Sequence, residues 1–166
     1  RNSIQNTATL GMISNTNGID NEMEILGSHS LATQAVRDLK LYVTYKSKGK
    51  IMDRLIYGIQ PISVDIDPAH LEKLSAPINL EITREGNTYQ ITGTYYASSG
   101  DNMEGPISIN KTITNLPATI GLRSGILSFT RNDSAPLEQG QTQIVTIVSP
   151  SNAAYKYTGS LAVSQS

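Results

Sequence analysis

Cysteine and tryptophan are absent from this 166-residue chain, phenylalanine occurs once and histidine twice. Without cysteine there is neither a disulfide framework nor a thiolate metal site, a composition that fits a cytoplasm or a cysteine-poor periplasm. The two histidines, His29 and His70, lie far apart, and neither has an acidic or second histidine partner at ligand spacing. Each is therefore expected to be a solvent-facing helix residue, and no metal and no cofactor is expected. Charged residues make up 16% of the chain and the formal net charge is -1. That balance argues against a basic nucleic-acid face and against an acidic disordered tail. No apolar run approaches the roughly 18 residues of a membrane span, and no signal peptide stands at the start. A G-x-x-x-x-G-K-[ST] loop is also missing, so the chain has no P-loop with which to bind ATP.

What is present suits one compact domain. Apolar residues are 38% of the chain, and the eight tyrosines fit half-buried strands. At this length a single core buries roughly 70% of the unfolded surface, and two domains would be cramped, so residues 1–166 are expected to form one domain. The chain begins at Arg1 without a methionine and ends at Ser166 within what reads as a strand. It is expected to be an excised piece of something longer.

Helical periodicity is clear in one stretch, Ile19 to Leu41. Asn21 with Glu24 three residues on forms a capping-box pattern, and Ile19, Met23 and Leu26 form an apolar edge. Glu22 and Glu24 fall in the first turn, where the helix dipole favours acidic groups. Gly27 and Ser28 read as a break, after which Ser28 or Ser30 caps a second helix with Leu31, Ala32, Ala35, Val36 and Leu39 on its apolar face. Arg37, Asp38 and Lys40 then face out. Residues 1–18, rich in Asn, Thr and Ser, read as a loose lead-in.

The remainder is β-leaning. Leu41 to Tyr45 is a short strand and Ser47 to Lys50 a turn; Ile62, Val64 and Ile66 alternate with polar residues as in a half-buried strand. Asp67 and Pro68 start a short helix through Leu74, with Asp67 as cap. Ile78, Leu80 and Ile82, the turn Arg84 to Asn87, and Tyr89, Ile91 and Tyr95 predict a hairpin. Ser98 to Pro106 reads as a loop, and Ile107, Ile109 and Ile113 as a strand. Ile120 to Leu122 and Ile126 to Phe129 are separated at Ser124 and Gly125 by a phase shift that a β-bulge would produce. Thr142 to Val148, apolar on both faces, is expected at the centre of the sheet. Pro150 to Tyr157 reads as a helical turn and Ser160 to Ser164 as a last strand. The fold expected is α+β: a mainly antiparallel or mixed sheet of five to eight strands, with two short N-terminal helices packed on one face.

Candidate chemistry is sparse. Asp65-Ile66-Asp67 matches the D-x-D by which glycosyltransferases hold a metal and a nucleotide sugar, yet Asp67 is accounted for as a helix cap and Asp65 as a solvent-side strand residue. Ser47-Lys48-Gly49-Lys50 fits S-x-x-K, but that pair must sit one helical turn apart, and Gly49 in a lysine-rich turn opposes a helix there. The sequons at Asn110 and Asn132 are read as accidental. No catalytic set emerges. Tyr95 and Tyr96 beside a polar loop offer a stacking platform for a glycan.

The string NEMEILGSHSLATQAVRDLKLYVTY resembles the opening of the external domain of the chain-length determinant proteins, or polysaccharide co-polymerases, particularly those fused to capsular or exopolysaccharide tyrosine autokinases. Asn21, Glu22, Glu24, Ile25, Leu26, Ser28, Leu31, Val36, Leu39 and Leu41 carry the resemblance. PISVDI and the closing SPSNAAYKYTGSLAVS resemble the family in order and spacing, so the likeness spans most of the chain, with its specific part at the start. It implies a non-catalytic domain on the periplasmic face of a bacterial inner membrane, with one membrane helix before it and one after it. Identical protomers would assemble side by side, and with a polymerase or export machinery they would set the length of a polysaccharide. A tyrosine kinase in the intact protein would lie outside this chain, as would the family's long helical arm. Glu22, Arg37 and Lys40 are the charged positions expected at protomer contacts. The alternative, from a different class, is a secreted or surface β-rich module that binds glycan or protein.

Overall fold

The computed structural model describes residues 16–49, 52–56 and 58–165, with side chains over the span 27–158 of that set. Helix α1 (Thr16–Leu39) is followed by strands β1 (Val43–Ser47), β2 (Arg54–Leu55) and β3 (Ile62–Ile66), and by the one-turn helix α2 (Pro68–Leu71). Then come β4 (Ile78–Glu85), β5 (Thr88–Ser99), β6 (Asn102–Ile113), β7 (Ala118–Leu122), β8 (Gly125–Arg131) and β9 (Thr142–Ile147), and the chain closes with helix α3 (Pro150–Gln165). Helices α1 and α3 pack on each other as one compact unit, and Lys40–Ser149 form a second.

The second unit is built of two antiparallel sheets. Six strands lie in the order β2-β1-β9-β4-β5-β6 and three in the order β3-β8-β7. Alternation decides which face of each is buried. In the large sheet Val145 and Ile147 of β9, Ile78, Leu80 and Ile82 of β4, and Ile91 of β5 are each at most 1% exposed. In the small sheet Ile62, Val64 and Ile66 of β3 alternate with Ser63 and Asp65, and Leu127 and Phe129 of β8 are fully buried. Strand β9 is central as its sequence predicts, flanked by β1 and β4, although Ile144 and Thr146 on its second face are only half-buried.

The two sheets are joined by polar side chains within this apolar layer. Gln143 of β9, 1% exposed, accepts from the Ile62 amide at 3.0 Å and donates to the Ile62 carbonyl at 2.8 Å. Two residues on, the Tyr45 hydroxyl of β1 accepts from the Val64 amide at 3.0 Å and donates to the Val64 carbonyl at 3.2 Å. These groups lie on the side of β3 that β8 does not pair. Gln143 and Tyr45 thus stand in for a missing neighbouring strand, and they satisfy backbone groups that burial would otherwise penalise. Burial also pushes the Tyr45 phenol above its ordinary pKa.

The expected pair of short N-terminal helices on a sheet face is overturned. The helical stretch is a single 24-residue helix, it runs through Gly27 and Ser28, and its partner is α3. A glycine inside a helix costs about 1 kcal/mol, less than stopping a helix and nucleating another. Asn21 is accordingly interior to α1 rather than a cap. The buried face also differs. Val36 and Thr33 are buried, while Leu31 and Leu39 are 75% and 68% exposed. Burial of Thr33 is possible because its hydroxyl donates to the His29 carbonyl one turn back, at 2.7 Å. The lead-in over residues 1–15 lies outside the described residues.

Other differences come from strand pairing across tight turns and from helix propagation, neither of which single-residue composition encodes. Ser98 to Pro106, expected as a loop, continues β5 and β6 to a tight turn at Gly100 and Asp101, with Ser99 opposite Asn102. The phase shift near Ser124 is a two-residue hairpin turn, not a bulge, because Leu122 pairs with Gly125. Ser160 to Ser164 is helical: Pro150 opens α3 with its φ already suited to the first helical position, Ala153 and Ala154 are buried, and the helix propagates. The hairpin from Ile78 to Tyr96 is present, with its turn at Gly86 and Asn87.

Replacing Gln143 with Leu leaves the Ile62 amide and carbonyl without partners and should lower the free energy of unfolding by roughly 2–4 kcal/mol in urea titrations, with Tyr45→Phe costing roughly 1–3 kcal/mol. A near-neutral Gln143→Leu would mean that the sheets do not depend on this junction. Gly27 has open space where a Cβ would stand, so Gly27→Ala should add roughly 0.5–1 kcal/mol; a loss of stability would argue for a break there.

Candidate functional site

The D-x-D carboxylates are both engaged in the frame of the β unit. Asp65 accepts from the Tyr42 hydroxyl at 2.9 Å and from the Ile66 amide at 2.8 Å, and the Lys40 ammonium lies 3.2 Å from its other oxygen. Burial, and then donation to this carboxylate, pushes the Tyr42 phenol well above its ordinary pKa. Asp67 occupies the N-cap position of α2, but its carboxylate makes no cap bond. It accepts instead from the Ile126 amide of β8 at 2.8 Å and pairs with His70 Nδ1. The cap expected of its side chain is thus replaced by a tie from α2 to the small sheet. Among the described residues no cluster of three His, Asp or Glu is placed to hold a metal ion.

His70 is therefore not a lone histidine. The D-x-x-H spacing that joins it to Asp67 was legible in the sequence, but metal-ligand spacings do not reveal it. His29 departs from the solvent-facing expectation in another way: its ring stacks on Tyr155 with centroids 4.0 Å apart, and Nε2 lies 3.2 Å from Ser151 Oγ. It is a packing residue between α1 and α3. Ser47 lies in β1 and Lys48 pairs with Glu81 at 2.8 Å, so the S-x-x-K pattern has no helix beneath it; Lys50 lies outside the described residues. Of the sequon asparagines, Asn110 accepts from Gln90 across β5 and β6, and Asn132 donates to the Gln60 carbonyl and to Ser63.

The three charged positions expected at protomer contacts are not alike. Arg37 is exposed on α1 and donates to Gln34 at 3.3 Å, within the same helix. Lys40 ends that helix with φ 54 and holds Asp65. Glu22 belongs to α1, but its side chain lies outside the described residues.

A cleft of about 200 Å³ opens where α2, β5 and the β7–β8 turn meet. His70, Lys73, Leu74 and Ser75 come from α2 and the residues after it; Tyr96 and Ser98 come from β5, and Arg123 and Ser124 from the turn. Several bonds fix this wall. Ser124 Oγ donates to the Tyr96 carbonyl at 2.6 Å, the Arg123 amide donates to the Tyr95 hydroxyl at 3.2 Å, and the Arg123 guanidinium donates to Glu104 at 2.9 Å. That ion pair, with a hydrogen bond from Ser99, holds the Glu104 carboxyl below its usual range. Tyr96 owes its position to a register irregularity, since Tyr95 pairs with Ile107 but Ala97 pairs with Glu104, so one residue of β5 faces two of β6. One of those two is Gly105, at φ 144, where a Cβ would come within 2.7 Å of the Tyr96 ring.

The stacking platform expected of Tyr95 and Tyr96 is thereby divided. Tyr95 is 5% exposed and structural, whereas Tyr96 lines the cleft. Lys73 and Arg123 carry no signal in the sequence, because they come from separate turns that only tertiary folding brings together, and Ser124 is marked there only by the phase shift. Among the described residues no helix is long and apolar enough to cross a membrane. No protein-family model matches this chain, and no curated protein matches it either.

Asp67 gives a pH dependence with a defined sign. The His70 hydrogen bond, and then the Ile126 amide, hold its carboxyl below the usual aspartate value. The folded pKa is thus lower than the unfolded one of about 3.9, so the stabilisation is fully present above that pH and disappears as pH falls through the folded value. Thermal melts should show stability falling below about pH 4, and Asp67→Asn should lower the melting temperature at neutral pH while making the acid limb shallower. An unaltered acid limb in the variant would remove Asp67 from this role.

Proposed function

We propose that this chain is the external, periplasmic domain of a polysaccharide co-polymerase of the kind fused to capsular or exopolysaccharide tyrosine autokinases. The observation that carries the reading is the pairing of α1 with α3. The chain enters and leaves its β unit through two helices that belong to the same compact unit, as a domain looped out between two membrane anchors requires. Of the residues that carry the family resemblance, those from Asn21 to Leu39 lie on α1 and Leu41 follows it. Leu31, Ala35 and Leu39 form an exposed apolar stripe at i, i+4 and i+8, which supports association of identical protomers through this helix. Glu22, Arg37 and Lys40 stand near it in sequence as candidates for setting register between protomers.

On this reading the domain works by organisation rather than by covalent chemistry. Assembled protomers at the inner membrane would hold a polymerase or export machinery in a geometry that biases how far a polysaccharide is extended. The kinase of the intact protein would lie on the other side of the membrane. A second reading, a free-standing surface module that binds glycan, is supported by the Tyr96 cleft. The two differ in the open reading frame: the co-polymerase needs a membrane helix on each side of this chain, and the module needs a signal peptide and neither helix.

Deleting the gene should shift the modal length of the surface polysaccharide on a gel, and expressing the intact protein should restore it. A ladder unchanged by deletion would overturn length control.

A further inference from the structure

We infer that the cleft between α2, β5 and the β7–β8 turn is a binding subsite for one acidic sugar residue of a longer glycan. The choice of a glycan rests on the proposed function; the place and the charge preference rest on the cleft itself.

Charge is the first argument. The chain as a whole is nearly neutral, at a formal net charge of -1, yet the cleft is lined by the potential cations His70, Lys73 and Arg123 and by no Asp or Glu. His70 and Arg123 are held by Asp67 and Glu104, which are outside the lining. Lys73 makes no ion pair among the described residues, so its charge is the uncompensated one. Arg123 donates to Glu104 through one terminal nitrogen, and a guanidinium has five N–H donors. An ammonium and a guanidinium lining one cleft suit a carboxylate.

The second argument is the character of the remaining wall. Tyr96 supplies an aromatic ring whose position is fixed by the tight approach of Gly105, and Ser75, Ser98 and Ser124 line the cleft with hydroxyls; those of Ser75 and Ser124 donate to Met103 and to the Tyr96 carbonyl and keep their acceptor lone pairs. A ring that packs on the apolar face of a pyranose, with hydroxyl partners around it, matches a sugar better than a compact inorganic anion. A phosphate cradle would want consecutive backbone amides or a longer helix N-terminus, and α2 has four residues.

Size gives the third. At about 200 Å³ the cleft is below the roughly 300 Å³ at which pockets enclosing a whole small molecule begin. It would take one residue of a polymer whose neighbours continue into solvent. Affinity per site would be weak, and several protomers engaging one chain would add up through effective concentration.

Nuclear magnetic resonance titration of the 166-residue chain with tetragalacturonate tests this directly. Backbone amide shifts are expected around Lys73, Ser75, Tyr96, Ser98, Arg123 and Ser124, with little response to the neutral oligosaccharide in which each carboxyl is reduced to an alcohol. Lys73→Glu, an exposed turn substitution, should weaken binding roughly tenfold or more, and Lys73→Arg should largely restore it. Absence of shifts at these residues, equal response to the neutral oligosaccharide, or unimpaired binding by Lys73→Glu would each overturn the proposal. Its failure is separable from failure of the co-polymerase reading. A ladder that shifts on gene deletion while the chain ignores tetragalacturonate removes the subsite alone, and binding with an unchanged ladder removes length control and keeps the subsite.

Discussion

A strand edge shut away from water must find partners for its amides and carbonyls, and the unpaired side of β3 is where this chain meets that constraint. Among the described residues no strand pairs there. Gln143 serves Ile62, Tyr45 serves Val64, and Asp65, held by Tyr42 and Lys40, accepts from the Ile66 amide. The three-stranded sheet is thereby bound to the six-stranded one by directional bonds as well as by apolar contact. Hydrophobic burial alone would tolerate sliding of one layer over the other; these bonds fix a register between them.

The cleft inherits its geometry from that junction. With β3 fixed, the segment that follows it places Asp67 on Ile126 and His70, and α2 is held against the start of β8. On the other side Tyr95 and the Tyr96 carbonyl grip the β7–β8 turn through Arg123 and Ser124. Gly125 sits at the crossing, with φ 138 and with Ile66, Asp67 and His70 all within 3 Å of where a Cβ would stand. The lining residues are thus mounted on bonded backbone even though Lys73, Leu74, Ser75, Arg123 and Ser124 lie outside helices and strands. A site built this way needs little reorganisation to accept a ligand, which limits the entropy lost on binding.

Legibility in the sequence followed the range of the interaction responsible. The alternation of Ile62, Val64 and Ile66, the hairpin from Ile78, and the central place of β9 rest on local pattern and were readable. Gly27 and Ser28 read as a break because propensity weighs single residues, whereas helix propagation and the pairing of α1 with α3 outweigh them. The polar run from Ser98 to Pro106 gave no strand signal because β6 is an edge strand with little buried surface near its start, and ladder hydrogen bonds to β5 alone keep it extended. In the cleft, Tyr96 was legible as an aromatic beside a polar stretch and His70 had its Asp67 spacing. Lys73 and Arg123, fifty residues apart in sequence, had nothing local to mark them.

The sequence by itself determined the strands whose alternation marks one buried face, such as β3, β4 and β8, the helical periodicity realised in α1, and a chain without cysteine or a P-loop motif. Periodicity and composition are properties of neighbouring residues, so one chain read in order is enough to expose them. Tertiary structure alone decided that the strands divide into two sheets, that α1 finds its partner at the far end of the chain, and that the D-x-D carboxylates meet Tyr42, Lys40, the Ile126 amide and His70. Those outcomes depend on which backbone groups remain unpaired after the sheets form and on which distant side chains reach them, and neither is encoded at any single position.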